Sequence, residues 1–109
     1  MKKYKIVTYV PEEYLNIMMD ELNNVITPLF EGYDYVFSYY KVKGTWRPLK
    51  GAKPFIGERG RISKEDEIKI EFTILEKDLK EVVKKILEIH PYEKPVIDIF
   101  KVKTYDEIK

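Results

Sequence analysis

Polar and apolar positions alternate most regularly over Glu67–Leu75, where Ile68, Ile70, Phe72 and Ile74 share one side and Glu67, Lys69, Glu71 and Thr73 the other. A period of two marks a strand with one face on a core. Lys3–Val10 is also extended, but its apolar residues fall on both sides: Tyr4, Ile6 and Val10 against Val7 and Tyr9. That pattern predicts a central strand covered on both faces. Tyr33–Lys43 places Tyr33, Tyr35, Phe37 and Tyr39 on one face and Val36, Tyr40 and Val42 on the other, and Pro95–Lys103 repeats the two-sided pattern with Ile97 and Ile99 opposite Val96, Phe100 and Val102. Both read as strands from their aromatic and β-branched content.

Two segments switch to helical spacing. Leu15, Met18, Leu22 and Val25 form one stripe, preceded by Pro11, Glu12 and Glu13. Proline and acids suit a first helical turn, and Pro28 forbids helix beyond Thr27, so a helix is predicted over residues 11 to 24. Leu79, Val82, Val83, Ile86 and Leu87 form the buried face of a second helix over Glu76–Ile89, stopped at His90 by Pro91. The last residues, from Thr104 onward, read as a tail or short turn.

The order is strand, helix, strand, long loop, strand, helix, strand. This predicts an α+β, ferredoxin-like βαββαβ sandwich in one domain over residues 1–109, with two helices on one face of a four-stranded antiparallel sheet. The apolar positions on the second sheet face call for a cover, and another copy of the chain is the economical one. The tyrosines of the second strand suit either packing under the loop or a subunit interface.

Between the second and third strands lies Gly44–Gly60, GTWRPLKGAKPFIGERG, with four of the five glycines, two of the six prolines and the only tryptophan. From Lys41 to Arg61 there are seven basic residues and one acid, which leaves thirteen basic and eighteen acidic residues elsewhere. The net charge of +1 therefore hides a segregated distribution. Loops this long are functional or disordered, and Trp46, Phe55 and Ile56 give this one too much apolar surface for disorder.

The absence of cysteine excludes disulfides, cysteine-ligated zinc and thiol catalysis, and fits the cytoplasm. Abundant lysine, glutamate and isoleucine with no glutamine suits a heat-adapted protein or a biased genome. No apolar run reaches membrane-spanning length, and the N-terminus lacks a signal-peptide core. Ser38 and Ser63 sit in no nucleophile-elbow pattern, and the acids lie on faces that read as solvated, so no enzyme is expected.

Three stretches carry a family resemblance. GTWRPLKGAKPFIGERG (Gly44–Gly60) resembles the G-T-aromatic-x-P…G-A-x-P-x-I-G-x-x-G signature of the domain inserted in dinuclear-metal proteins of the NGG-one-interacting-factor-three type. HPYEKPVIDIF (His90–Phe100) is similar to the motif that closes that domain, and VPEEYL (Val10–Leu15) to its strand-to-helix junction. The resemblance runs from about Tyr4 to Val102. It implies the CutA/PII type of ferredoxin-like fold and a homo-oligomer, typically a trimer. Val36 stands where the family carries a cysteine in the second strand, and Lys94 where its closing motif has a second glutamate. Both changes weaken metal binding. The family's paired metals sit in flanking domains, so the metal-centre hydrolase activity does not transfer to this segment.

The expected function is a non-catalytic ligand-binding or regulatory module with no resident cofactor. The candidate anion site is Arg47, Lys50, Gly51, Lys53, Gly57 and Arg59, in which glycines permit close backbone approach and the basic side chains supply charge. A phosphate-bearing small molecule suits it by analogy with nucleotide-binding PII relatives; a structural loop with solvated charges suits it equally. His90 and Glu93 are weak divalent-metal candidates, since one chain supplies too few ligands and only a trimer could assemble a set. Single-stranded nucleic acid is a further alternative, resting on basic residues interleaved with Tyr40, Trp46 and Phe55.

Overall fold

The structure, a computed structural model, describes residues 2–108. Strand β1 (Lys3–Val10) leads through a single 3₁₀ turn at Glu12–Tyr14 into helix α1 (Leu15–Asn23). Strands β2 (Ser38–Trp46) and β3 (Ser63–Leu75) follow, then a second 3₁₀ turn at Glu76–Asp78, helix α2 (Leu79–Ile89), strand β4 (Ile97–Val102) and a 3₁₀ turn at Tyr105–Glu107. The sheet order is β2-β3-β1-β4, antiparallel throughout. This is the ferredoxin-like arrangement that the hydrophobic pattern predicts.

The core forms where the period-two face of the sheet meets the two helical stripes. Ile6 and Val10 of β1, Ile68, Ile70, Phe72 and Ile74 of β3, Met18 and Leu22 of α1, and Val82 and Ile86 of α2 are all buried. Burying each such side chain contributes about 1.5–3 kcal/mol. Asp78 ties the connection after α1 to the start of α2, accepting from the Thr27 backbone N–H at 2.8 Å and facing its hydroxyl at 3.4 Å. Helix α2 ends as its proline requires, with His90 extended at φ −63° and ψ 129°.

Three expectations are corrected. The second strand begins at Ser38 rather than Tyr33 and runs on through Trp46. Tyr35 takes a left-handed φ of 54°, its N–H donating to the Asn23 side chain at 2.9 Å, so the segment before Ser38 is an irregular crossing. Val36 consequently lies outside the strand and is exposed. The third strand is longer than expected, starting at Ser63 instead of Glu67. Leu87, assigned to the buried face of α2, is 55% exposed.

The second sheet face is also less greasy than the pattern implies. Val7 is buried there, but Lys5 faces Glu71 at 3.8 Å, and the Lys69 ammonium lies 5.9 Å from the Tyr9 ring and 5.6 Å from the Tyr40 ring. Charged stems and tyrosines cover apolar surface while their polar ends stay wet.

β1 ends opposite Ile68, whereas β2 and β3 continue as a two-stranded ribbon to the Trp46–Ser63 pair. The long connection hangs from the end of that ribbon.

Candidate ligand site

Where β1 stops and the ribbon runs on, the loop folds back and meets the turn that follows α2. Four ties hold it. The Trp46 indole N–H donates to the Ile56 carbonyl at 3.2 Å, and Gly60 N–H to the Pro48 carbonyl at 2.7 Å. Arg59 Nε donates to the Ala52 carbonyl at 2.7 Å, and Lys53 N–H to the Glu93 carboxylate at 3.0 Å. Gly57 sits at φ 107°, and a Cβ there would collide with the Ser63 hydroxyl, so glycine is required on both counts.

A cavity of about 440 Å³ opens between loop and turn. Its walls include Trp46, Phe55, Tyr92 and Tyr9, with Arg47 and Lys94 contributing charge and Glu67 a carboxylate. The Trp46 and Tyr92 rings lie 5.7 Å apart at 46°, and Phe55 and Tyr92 6.2 Å apart at 43°, so the three rings form tilted walls rather than a stack. Phe55 also meets Tyr14 edge-on at 6.2 Å.

The closing turn is pinned through His90. Its Nδ1 accepts from the Tyr92 backbone N–H at 3.2 Å, which leaves Nε2 protonated to donate to the Tyr9 carbonyl at 2.6 Å. Burial lowers its pKa, opposed by the bond to the Tyr9 carbonyl. Both ring nitrogens are thus occupied by backbone. Glu93, its proposed partner as a metal ligand, serves the Lys53 amide instead. Among the described residues no group of three or more metal-ligating side chains comes together.

The six anion-site candidates do not converge on one point. Arg47 lines the cavity. Lys50 and Gly51 form the tip of a turn closed by Ala52 N–H on the Leu49 carbonyl at 3.0 Å, Gly51 taking φ 94°. Lys53 contributes its amide to the Glu93 tie, Gly57 packs on Trp46 and Ser63, and Arg59 braces the loop backbone.

The pattern did not single out Glu67 or Tyr92. Glu67 falls on the polar side of its strand, yet it is only 8% exposed. The Tyr92 pKa is raised by burial first, then by the charge of Glu67 and a hydrogen bond to it, with smaller contributions from Glu65 and Glu13. Gly44 was the available signal: a glycine within a strand often marks a close approach, and a Cβ there would overlap the Glu67 carboxylate.

No protein-family model matches the chain. It is 36% identical over 104 residues to a Staphylococcus epidermidis protein named GTP cyclohydrolase 1 type 2 homolog, covering 95% of this chain and 28% of that protein. A Halalkalibacterium halodurans protein of the same name is 32% identical over 97 residues, covering 89% and 26%. The chain thus spans about a quarter of the curated relatives it matches. Among solved structures, a Bacillus cereus protein related to NIF3 superposes with a TM-score of 0.81 at 21% identity, covering 94% of this chain and 26% of that one. The periplasmic divalent cation tolerance protein CutA of Archaeoglobus fulgidus gives 0.68 at 13% identity, covering 94% and 85%. The PII-like protein CutA of Nostoc in apo form gives 0.65 at 17%, covering 100% and 86%. The resemblance to one segment of the NIF3-type proteins holds, and the fold is of the CutA/PII-like kind.

Proposed function

We propose that this chain, homologous to about a quarter of its NIF3-type relatives, is a non-catalytic, self-associating ligand-binding or regulatory module whose loop cavity holds a small phosphate-bearing molecule. The cavity carries the reading. Small-molecule sites are concave and mostly apolar, with a few placed polar groups, and this one is braced before any ligand arrives. Arg47 on its wall supplies a planar, always-charged fork for phosphate oxygens, with Lys94 as a second positive charge in the lining, while Lys50, Lys53 and Arg59 add positive charge on the same loop. Gly51 and Gly57 leave backbone uncovered on the same loop.

The relatives' name includes a nucleoside triphosphate, which is a ligand of this class. It belongs to proteins more than three times as long, so their activity is not carried over to this segment. His90, the only histidine, is held neutral between two backbone groups and is not free to act as a base. The same geometry puts divalent-metal binding through His90 and Glu93 behind phosphate binding. Nucleic acid ranks behind as well, because Trp46, Phe55 and Tyr92 are tilted walls of one cavity rather than a row of stacking platforms. A trimer is the assembly in keeping with the CutA/PII-like fold.

Thermal-shift and calorimetric titration with GTP, ATP, glycerol 3-phosphate and divalent metals test the proposal, since a ligand that binds only the folded state raises the melting point. Phosphate-bearing compounds are expected to stabilise the chain, and Arg47→Ala to weaken them by about tenfold, the equivalent of one lost charge-assisted contact. A shift with metals alone, abolished by His90→Ala, would overturn it.

A further inference from the structure

Among the described residues four polar side chains are buried: Lys3, Thr8, Glu67 and His90. Three have their partners within the chain. Lys3 is ion-paired to Glu107 at 2.9 Å and Asp106 at 3.1 Å, Thr8 donates to the Val96 carbonyl at 2.8 Å, and His90 spans two backbone groups. Glu67 differs in being a charged side chain whose one hydrogen-bond partner is neutral. It faces the neutral hydroxyl of Tyr92, and no Lys, Arg or His among the described residues lies within ion-pair distance of it, although Arg47 and Lys94 line the same cavity. A buried carboxylate without a cation is costly, and buried charges are as a rule paired.

The surroundings say what kind of counter-charge fits. Glu67 is the first β3 residue past the end of β1, so the sheet core does not bury it; it is covered from the loop and turn side, with Gly44 giving it room. Trp46, Phe55 and Tyr92 stand around the cavity as tilted walls. Aromatic faces attract cations, most strongly where water is displaced. A carboxylate within an aromatic cage is the chemistry that recognises an organic ammonium. A hydrated metal ion fits poorly, because Glu67 and Glu93, the latter already accepting from the Lys53 amide, offer too few oxygens among aromatic neighbours.

We infer that the Glu67 end of the cavity is a subsite for an organic ammonium group, so that the favoured ligand is a small zwitterion with its amine on Glu67 and its phosphate towards Arg47. This rests on the cavity being the ligand site proposed above.

Trp46, the single tryptophan, lies in the cavity wall and reports occupancy by its fluorescence. Three probes separate the two ends: phosphoethanolamine, glycerol 3-phosphate and n-butylamine. Phosphoethanolamine is expected to bind at least about tenfold more tightly than glycerol 3-phosphate, the gain of one desolvated cation contact. Glu67→Gln keeps the side-chain shape and is expected to erase that difference without weakening glycerol 3-phosphate, since only a negative charge leaves the cavity, with a thermal melt confirming that the variant folds. Equal affinities in the unaltered chain, or a preference that survives Glu67→Gln, would overturn the ammonium subsite and leave the phosphate reading standing. Glu67-dependent binding of n-butylamine with no binding of glycerol 3-phosphate would do the reverse, and binding of none of the three would remove both. A change in oligomeric size in Glu67→Gln, with probe binding intact, would seat a lysine of a second copy at Glu67 and overturn the small-molecule assignment.

Discussion

At the scale of single residues, the informative positions are those where side-chain type and environment disagree. Gly44 lies in a strand, where a glycine weakens pairing, but any Cβ would take the volume of the Glu67 carboxylate. Gly44→Ala is therefore expected to push the Glu67 carboxylate aside; as the end of a flexible side chain it can move, so stability falls by no more than about 1 kcal/mol. Urea unfolding measures it, and a much larger loss would show that Glu67 is held rigidly in place. His90 supplies a pH prediction. Its folded-state pKa is depressed below the ordinary 6.5, so the unfolded chain binds the proton more readily. Stability is then at its full value above that ordinary pKa and declines as pH falls through it towards the folded-state value. Chemical denaturation across this range should show the decline, and His90→Gln should flatten it. Glu67 and Tyr92 were illegible beforehand because period-two reading sorts strand residues by side. It cannot see a distant turn folding over the polar one.

At the scale of elements, legibility followed periodicity. β1, α1, α2 and the core half of β3 stand where alternation or helical spacing put them, because each pattern is enforced by burial on one face. The start of β2 was misjudged for a physical reason. Tyr33, Tyr35 and Phe37 alternate like a strand, but Phe37 reaches Phe72 with ring centroids 5.2 Å apart while Tyr35 is turned outward to Asp20 at 3.1 Å. Tertiary contacts of large rings overrode local propensity. Three of the loop's four ties were invisible as well, since they end on backbone carbonyls that no residue pattern encodes. The 3₁₀ turn at Tyr105–Glu107 gives a further test. Lys3 is its anchor, with a pKa raised chiefly by the bond to Glu107 and also by Asp106. Lys3→Met should release the turn, seen as faster hydrogen exchange at Glu107 and Ile108, whose amides close it on Thr104 and Tyr105. Unchanged protection there would show that the anchor is dispensable.

At the scale of the whole molecule, the sheet edges and several large apolar side chains stay uncovered in the single chain. Phe100 is 51% exposed on β4, Ile99 46%, and Leu87 on α2 55%. Exposed β2 and β4 edges beside such residues favour pairing with another copy. Sedimentation at micromolar concentration is expected to show an oligomer, and a monomer there would contradict self-association. The topology was legible because only one arrangement satisfies two crossovers of the usual hand with this element order. The ribbon beyond β1 was not, and it gives the chain its elongated extents of 52 × 25 × 24 Å.

The strand order carries a consequence for synthesis. Within this segment β1 is made before both of its neighbours, β3 and β4. The β2–β3 ribbon can zip as soon as Leu75 has cleared the exit tunnel, but the seat for β1 is finished only when residues near Val102 are made. Until then one edge of β1 has no partner strand, and a nascent chain stalled before β4 presents the unpaired backbone of that edge to whatever holdase is nearby.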